Sequence, residues 1–141
     1  MFAQLDVRDG DASVVVDLVA DPTPIAERPQ PTLLGGVSIL IDTPHQLLVN
    51  KLCALLSRSE LRDLVDVREL LAAGGDLFRA LDDCPRQDAG FSPLTFGWSV
   101  RGLRVEQLGT SLGIARDALD ALLVFRDELV ERVIAASRPS S

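Results

Sequence analysis

The chain has 141 residues, 47% of them hydrophobic and 25% charged, which is the size and make-up of one globular domain that buries a core without metal or disulfides. Its net charge of −7 argues against a broad, sequence-independent grip on nucleic acid, which needs a basic footprint, but leaves room for a small basic pocket. With one histidine and no tyrosine, a Ser-His-Asp or Cys-His nucleophile would have to use His45, and nothing around it suggests one; Cys53 and Cys84 form neither a CxxC nor a metal cluster, which fits a reduced cytoplasm.

The N-terminus "MFAQLDVRDGD" has no signal-peptide core, and no apolar run spans a bilayer, so no membrane partner is expected. Residues 2 to 20 read as a β-hairpin. "FAQLDV" and "SVVVDLV" are apolar or β-branched runs joined by "RDGDA", whose Asp-Gly signals a turn. Asp17 breaks the valine run and shares a face with Val15 and Val19 by period two. An acid there is either a metal or catalytic carboxylate or one end of a strand-end ion pair. Residues 21 to 36 hold four prolines and a Gly-Gly pair, and read as a connector rather than a packed element. "VSILI", residues 37 to 41, is expected to be the third strand.

Helical periodicity follows. Asp42 or Thr43 caps a helix with Pro44 at its first position, running to about Ser57, with His45 in its first turn. A second helix begins near Ser59 and stops at Gly74-Gly75. "DLFRALDDC" is a short third helix, "QDAGFSPLT" a loop, and "LTFGWSVRGL" fits no element clearly. Residues 114 to 136 form a long amphipathic helix with Leu119, Leu122, Phe125, Leu129, Val130 and Val133 on one face. Strands first and helices after make an α+β chain: a small antiparallel β portion over 1–43, a helical bundle over 44–137, and a tail at 138–141.

Two helices carry charge where their apolar faces should be. Leu47, Leu48, Leu52 and Leu55 define an arc that contains Lys51, with Arg58 two turns on. Lys51 is the only lysine, the other 13 basic residues being arginine, which suggests a compact ammonium is needed there. The alternative is a lysine whose stem covers apolar surface. In the second helix, Leu61, Leu64, Val67, Leu70 and Leu71 face inward, and Asp63 falls among them with Asp66 at the edge. A carboxylate there must be paired, coordinated or protonated. One reading is a salt bridge, Asp63 to Lys51 or Asp66 to Arg62. The other is a polar pocket, with Lys51 and Arg58 facing phosphate.

Asp17 on "VVVDLV", Lys51 in "LVNKLCALLSR" and "LRDLVD" with Arg62, Asp63 and Asp66 together resemble the AbiEii/AbiGii nucleotidyltransferase family of bacterial abortive-infection and toxin-antitoxin toxins. The string K-x6-R-x3-R-D-x2-D carries the likeness, which covers roughly residues 1 to 100. The resemblance implies a polymerase-β-like nucleotidyltransferase fold with an attached helical region. It also implies transfer of a nucleotide from an NTP to an RNA acceptor such as tRNA, dependence on Mg²⁺, and a cognate antitoxin. It assigns Asp17 to the metal site, Lys51, Arg58 and Arg62 to the nucleotide, and Lys51, Asp63 and Asp66 to catalysis.

One departure stands out. The family's Gly/Ser-rich turn and D-x-D pair precede the third acid, yet only 16 residues precede Asp17 here. "DGD" at 9–11 has the letters but reads as a hairpin turn, and one carboxylate cannot hold a Mg²⁺ pair. The expectation is the N-terminally truncated back portion of such an enzyme, inactive alone; the alternative is a non-catalytic helical module that binds RNA, nucleotide or an antitoxin. "QLGTSLGIARDALDAL" places Gly109, Gly113 and Leu119 near helix-turn-helix spacing, but Asp117 and Asp120 beside Arg116 argue against DNA binding.

Overall fold

Two-residue glycine loops shape the first third of the chain. β1 (Phe2–Asp9) and β2 (Ala12–Val19) pair antiparallel with Asp9 opposite Ala12, so Gly10 and Asp11 make the turn, Gly10 at φ +58°. β3 (Gln30–Leu34) and β4 (Val37–Ile41) close through Gly35 and Gly36, at φ +55° and +83°, a backbone region that glycine enters without strain. The computed structural model describes residues 1–137, so the expected tail at 138–141 lies outside the described residues.

The first hairpin is as the sequence predicts. The connector is not: its second half is β3, which makes "VSILI" the fourth strand, and the strands form two separate two-stranded sheets rather than one. Pro31 does not prevent this, because each strand of a two-stranded ladder has a free edge and the missing N–H need not leave a gap.

Six helices follow: α1 (Pro44–Arg58), α2 (Leu61–Ala72), α3 (Leu77–Gln87), α4 (Pro93–Arg101), α5 (Val105–Ser111) and α6 (Arg116–Ala136). Thr43 caps α1 by accepting the Gln46 N–H at 3.1 Å, with Pro44 in the first turn. α3 runs past its expected end with Pro85 inside it. The loop expected through 95 ends at Ser92, and the ambiguous stretch is α4, begun by Pro93. α1 packs on α2 and α3, while α4 and α5 pack on α6. A Cβ on Gly109 would lie 2.0 Å from Leu119 Cδ2, so α5 sits on α6 at a distance only glycine permits. None of the described helices is long and apolar enough to cross a membrane.

Every fully buried apolar side chain among the described residues comes from Leu48 onward. The hairpins stand outside this core. Cross-strand pairs Ala3–Leu18, Leu5–Val16 and Val7–Val14 give the first hairpin one wholly apolar face. Its other face carries Gln4, Asp6, Arg8 and Asp17. On the apolar face, Leu5, Val7, Val14 and Leu18 all remain about half exposed.

A polar knot invisible in the sequence ties the connector to the helices. Gln46 is wholly buried; its Oε1 accepts the Ala26 and Glu27 N–H groups at 2.7 and 2.8 Å, and its Nε2 donates to Asn50 and Gln87. The Glu27 carboxylate accepts from the Thr43 hydroxyl and the Arg79 guanidinium. His45 does sit in the first turn of α1, but it also reaches Asp83 on α3 at 2.8 Å.

This division of labour is testable by urea unfolding. Leu52→Ala should cost about 2–5 kcal/mol, and Val14→Ala within about 0.5 kcal/mol. Comparable costs would put the first hairpin inside the cooperative core. Gln46→Leu should cost about 1–3 kcal/mol and speed amide exchange at Ala26 and Glu27, which lose their acceptor.

Candidate functional site

The site begins with one backbone torsion. α1 ends at Ser59, whose φ of 52° and ψ of 42° are left-handed and whose N–H caps the Leu55 carbonyl at 3.2 Å. The chain turns there and re-enters a helix two residues later. The end of α1 and the start of α2 are thereby brought together, with Arg58 in the last turn of one and Asp63 in the first turn of the other. Both positions suit the helix dipoles.

Asp63 is fully buried, at 0% exposure. Arg58 grips it in a two-pronged pair, Nε to Oδ2 at 2.7 Å and Nη2 to Oδ1 at 2.9 Å. Lys51 Nζ lies 3.3 Å from Asp63 Oδ1 and 2.6 Å from Asp66 Oδ2. The salt-bridge reading of Asp63 holds, and its partners are Lys51 and Arg58, the two cations of the polar-pocket reading. The Arg58 guanidinium holds the Asp63 carboxyl below the usual carboxylate range, with Lys51 adding to the effect against the opposing cost of burial. Lys51 is pushed up, chiefly by its bond to Asp66. Asp63 in turn pushes Arg58 up.

The cations keep solvent access: the side chains of Lys51 and Arg58 are 29% and 49% exposed, and that of Asp66 37%. Lys51 is at the rim of the buried arc rather than inside it, because Leu47 turns out exposed and the buried side of α1 is Gln46, Leu48, Val49, Leu52, Cys53 and Leu55. Arg62 is far out in solvent, 3.4 Å from Glu60 rather than paired with Asp66. Glu60, which sequence reasoning passed over, stands between the two arginines. A cavity of about 390 Å³ opens on the Lys51–Asp66 pair, lined also by Leu47, Glu69 and Leu70.

Asp17 is elsewhere. It lies exposed on β2 and accepts a hydrogen bond from Gln4 Nε2 at 2.9 Å. No ion pair or hydrogen bond joins it to Lys51, Arg58, Asp63 or Asp66 among the described residues. The donor set does not fit a Mg²⁺ pair: both Asp63 oxygens are spent on cations, Asp66 is held by Lys51, and no three acidic, histidine or cysteine side chains cluster as metal ligands among the described residues.

The helix-turn-helix spacing also takes physical form. α5 and α6 meet through Gly109 and Leu119, and Gly113 turns at φ +71°. Arg116 at the start of α6 is occupied by Glu106 at 3.2 Å and Asp120 at 3.1 Å, so the leading turns of that helix offer little to a DNA phosphate.

The family model described as "Nucleotidyl transferase AbiEii toxin, Type IV TA system" matches residues 4–95, the stretch that holds the hairpins and the Lys51–Arg58–Asp63–Asp66 cluster. No curated protein and no solved structure matches the chain.

The cluster has a pH signature. A carboxylate whose folded pKa is depressed contributes stability above its unfolded pKa, near 3.8, and loses it as pH falls through the lower folded value. Asp63→Asn should cost about 3 kcal/mol at pH 7, the low end for a buried pair because half-exposed Arg58 is screened. The gap to the parent should close as the pH drops below about 4. A gap independent of pH would show that Asp63 is not held as a carboxylate.

Proposed function

The chain belongs to the AbiEii nucleotidyltransferase toxin family of type IV toxin-antitoxin systems, and from that premise we propose that residues 1–141 bind a nucleoside triphosphate at Lys51 and Arg58 but do not transfer its nucleotide unaided. The observation that carries this reading is the fully buried Asp63 with two solvent-reaching cations fastened to it.

Asp63 is a positioning residue. Arg58 spends Nε and Nη2 on it, which fixes the plane of the guanidinium and leaves the Nη1 edge for an outside anion. Lys51 has a fixed partner in Asp63 and an exchangeable one in Asp66. A triphosphate carries more charge than one carboxylate and can displace Asp66 from the ammonium. Asp66, once displaced, is free to orient the attacking hydroxyl. Arg62 adds a second, loosely held cation at the rim. Pre-set cations of this kind stabilise charge without reorganising during the reaction.

Transfer needs more. The described residues do not assemble the carboxylates that hold a Mg²⁺ pair, and Asp17 is one candidate acid, not a set. The acceptor in this reading is RNA and the setting the cytoplasm; the family's place in toxin-antitoxin systems supports an antitoxin as the regulating partner.

Calorimetric titration with ATP and GTP tests the binding. Lys51→Ala should weaken it at least about tenfold, a loss of about 1.4 kcal/mol, and leave the fold intact, because Asp63 keeps Arg58. Unchanged affinity would remove Lys51 from the nucleotide site. Incubation of the chain with labelled NTP, Mg²⁺ and tRNA should give no labelled RNA; labelling would show that the chain transfers by itself.

A further inference from the structure

The corner that positions the Asp63 clamp has a second side, facing the helices beyond the family match. A cavity of about 540 Å³ runs from Arg58 and Arg62 across an apolar floor of Leu61, Leu108 and Leu112. A neighbouring cavity of about 520 Å³ holds Trp98 and Arg104, and the two share Ser59 and Leu108 as a common wall. The two adjoin there, a groove of two neighbouring hollows between the α1–α2 corner and the α4–α5 corner.

One feature of this groove has no structural purpose that the fold explains, and a second is its charge. Trp98 is the only tryptophan in the chain, and it is 63% exposed rather than in the core. The charged groups lining the two cavities are three arginines and one glutamate, on a chain whose net charge is −7. An exposed indole beside spaced cations over an apolar floor suits unpaired nucleotides. Bases stack on the ring and the floor, and phosphates meet the arginines. Duplex nucleic acid would present only phosphates here, because its bases are already stacked.

We propose that this groove is the track for an unpaired RNA strand, with Trp98 as the stacking platform and Arg104 and Arg62 on the phosphates. It rests on the nucleotidyltransferase reading in one respect: the strand it holds is the acceptor, delivered past Arg58 to the nucleotide. The α5–α6 helix-turn-helix takes no part, since its leading arginine is consumed by Glu106 and Asp120.

Trp98 supplies its own probe. Titrating the full chain with oligo-adenosine RNA at low salt, without NTP, should quench its emission with a dissociation constant of about 10 µM, weakening as salt rises. Anisotropy of labelled oligo-adenosine should show Trp98→Leu and Arg104→Ala each weakening binding by about tenfold. Both side chains are exposed, so both variants should keep the parent's circular dichroism and melting temperature. An RNA duplex of the same length should bind without quenching. The proposal is overturned by the absence of any quenching or anisotropy change up to about 100 µM RNA, by equal quenching with the duplex, or by an Arg104→Ala variant that binds like the parent. The outcomes separate from those for the nucleotide. Lost RNA binding with ATP binding intact removes only the groove. Lost ATP binding with RNA binding intact removes only the Lys51 reading.

Discussion

A carboxylate with no solvent contact stays charged only if cations and hydrogen bonds replace the water it has lost, and Asp63 is held in that way by Arg58 and Lys51. The rest of the site follows from meeting that demand. Asp63 sits in the first turn of α2, Arg58 in the last turn of α1, and Lys51 two turns before it, so satisfying the carboxylate fixes how the two helices meet. The left-handed Ser59 is the backbone form of the same constraint: without a turn that tight, Arg58 could not reach back. Two cations are thus bound to the protein on one side and reach water on the other. The same corner forms the wall of the groove on the α5 side.

The molecule divides between a packed part and an unpacked one. The helices own the core, and the hairpins keep an apolar face in water. Two-stranded sheets with free edges are marginal by themselves, and here the connector after the first hairpin is anchored through Gln46 and Glu27 rather than through the strands. The catalytic reading mirrors this split. The cations on α1 are held in place by the buried Asp63 of α2, whereas Asp17, on the first hairpin, has Gln4 as its one side-chain hydrogen-bond partner among the described residues.

Much of this was legible in the sequence because short-range rules govern it. The Asp-Gly loop, the Thr43–Pro44 start, and the apolar stripe of the last helix all appear where local pattern predicts them. The acidic and basic residues of the site were found because they broke the helical pattern, and a charge inside an apolar arc demands a partner. What was missed depends on contacts distant in sequence. β3 was hidden by its proline, which a two-stranded ladder tolerates. α4 was obscured by Gly97 and Trp98, and Gly97 is where the helix lies against Val133 and Ile134 of α6. The Gln46 knot joins positions up to 41 residues apart, and nothing in a glutamine at a helix start announces it. Arg62 shows the limit of spacing arguments: four residues separate it from Asp66, yet it turns to Glu60.

The central claim is that Asp63 and Arg58 act as one unit that sets the site, and a double-mutant cycle measures it directly. Urea unfolding of the parent, Arg58→Met, Asp63→Asn and the double variant at pH 7 gives the coupling energy between the two side chains. The account predicts about 2 kcal/mol or more of coupling, with the double variant losing much less than the two single losses combined, since each single change strands the other partner's charge or polarity. Additive losses, with coupling near zero, would mean that the pair is incidental and that something else holds α1 against α2.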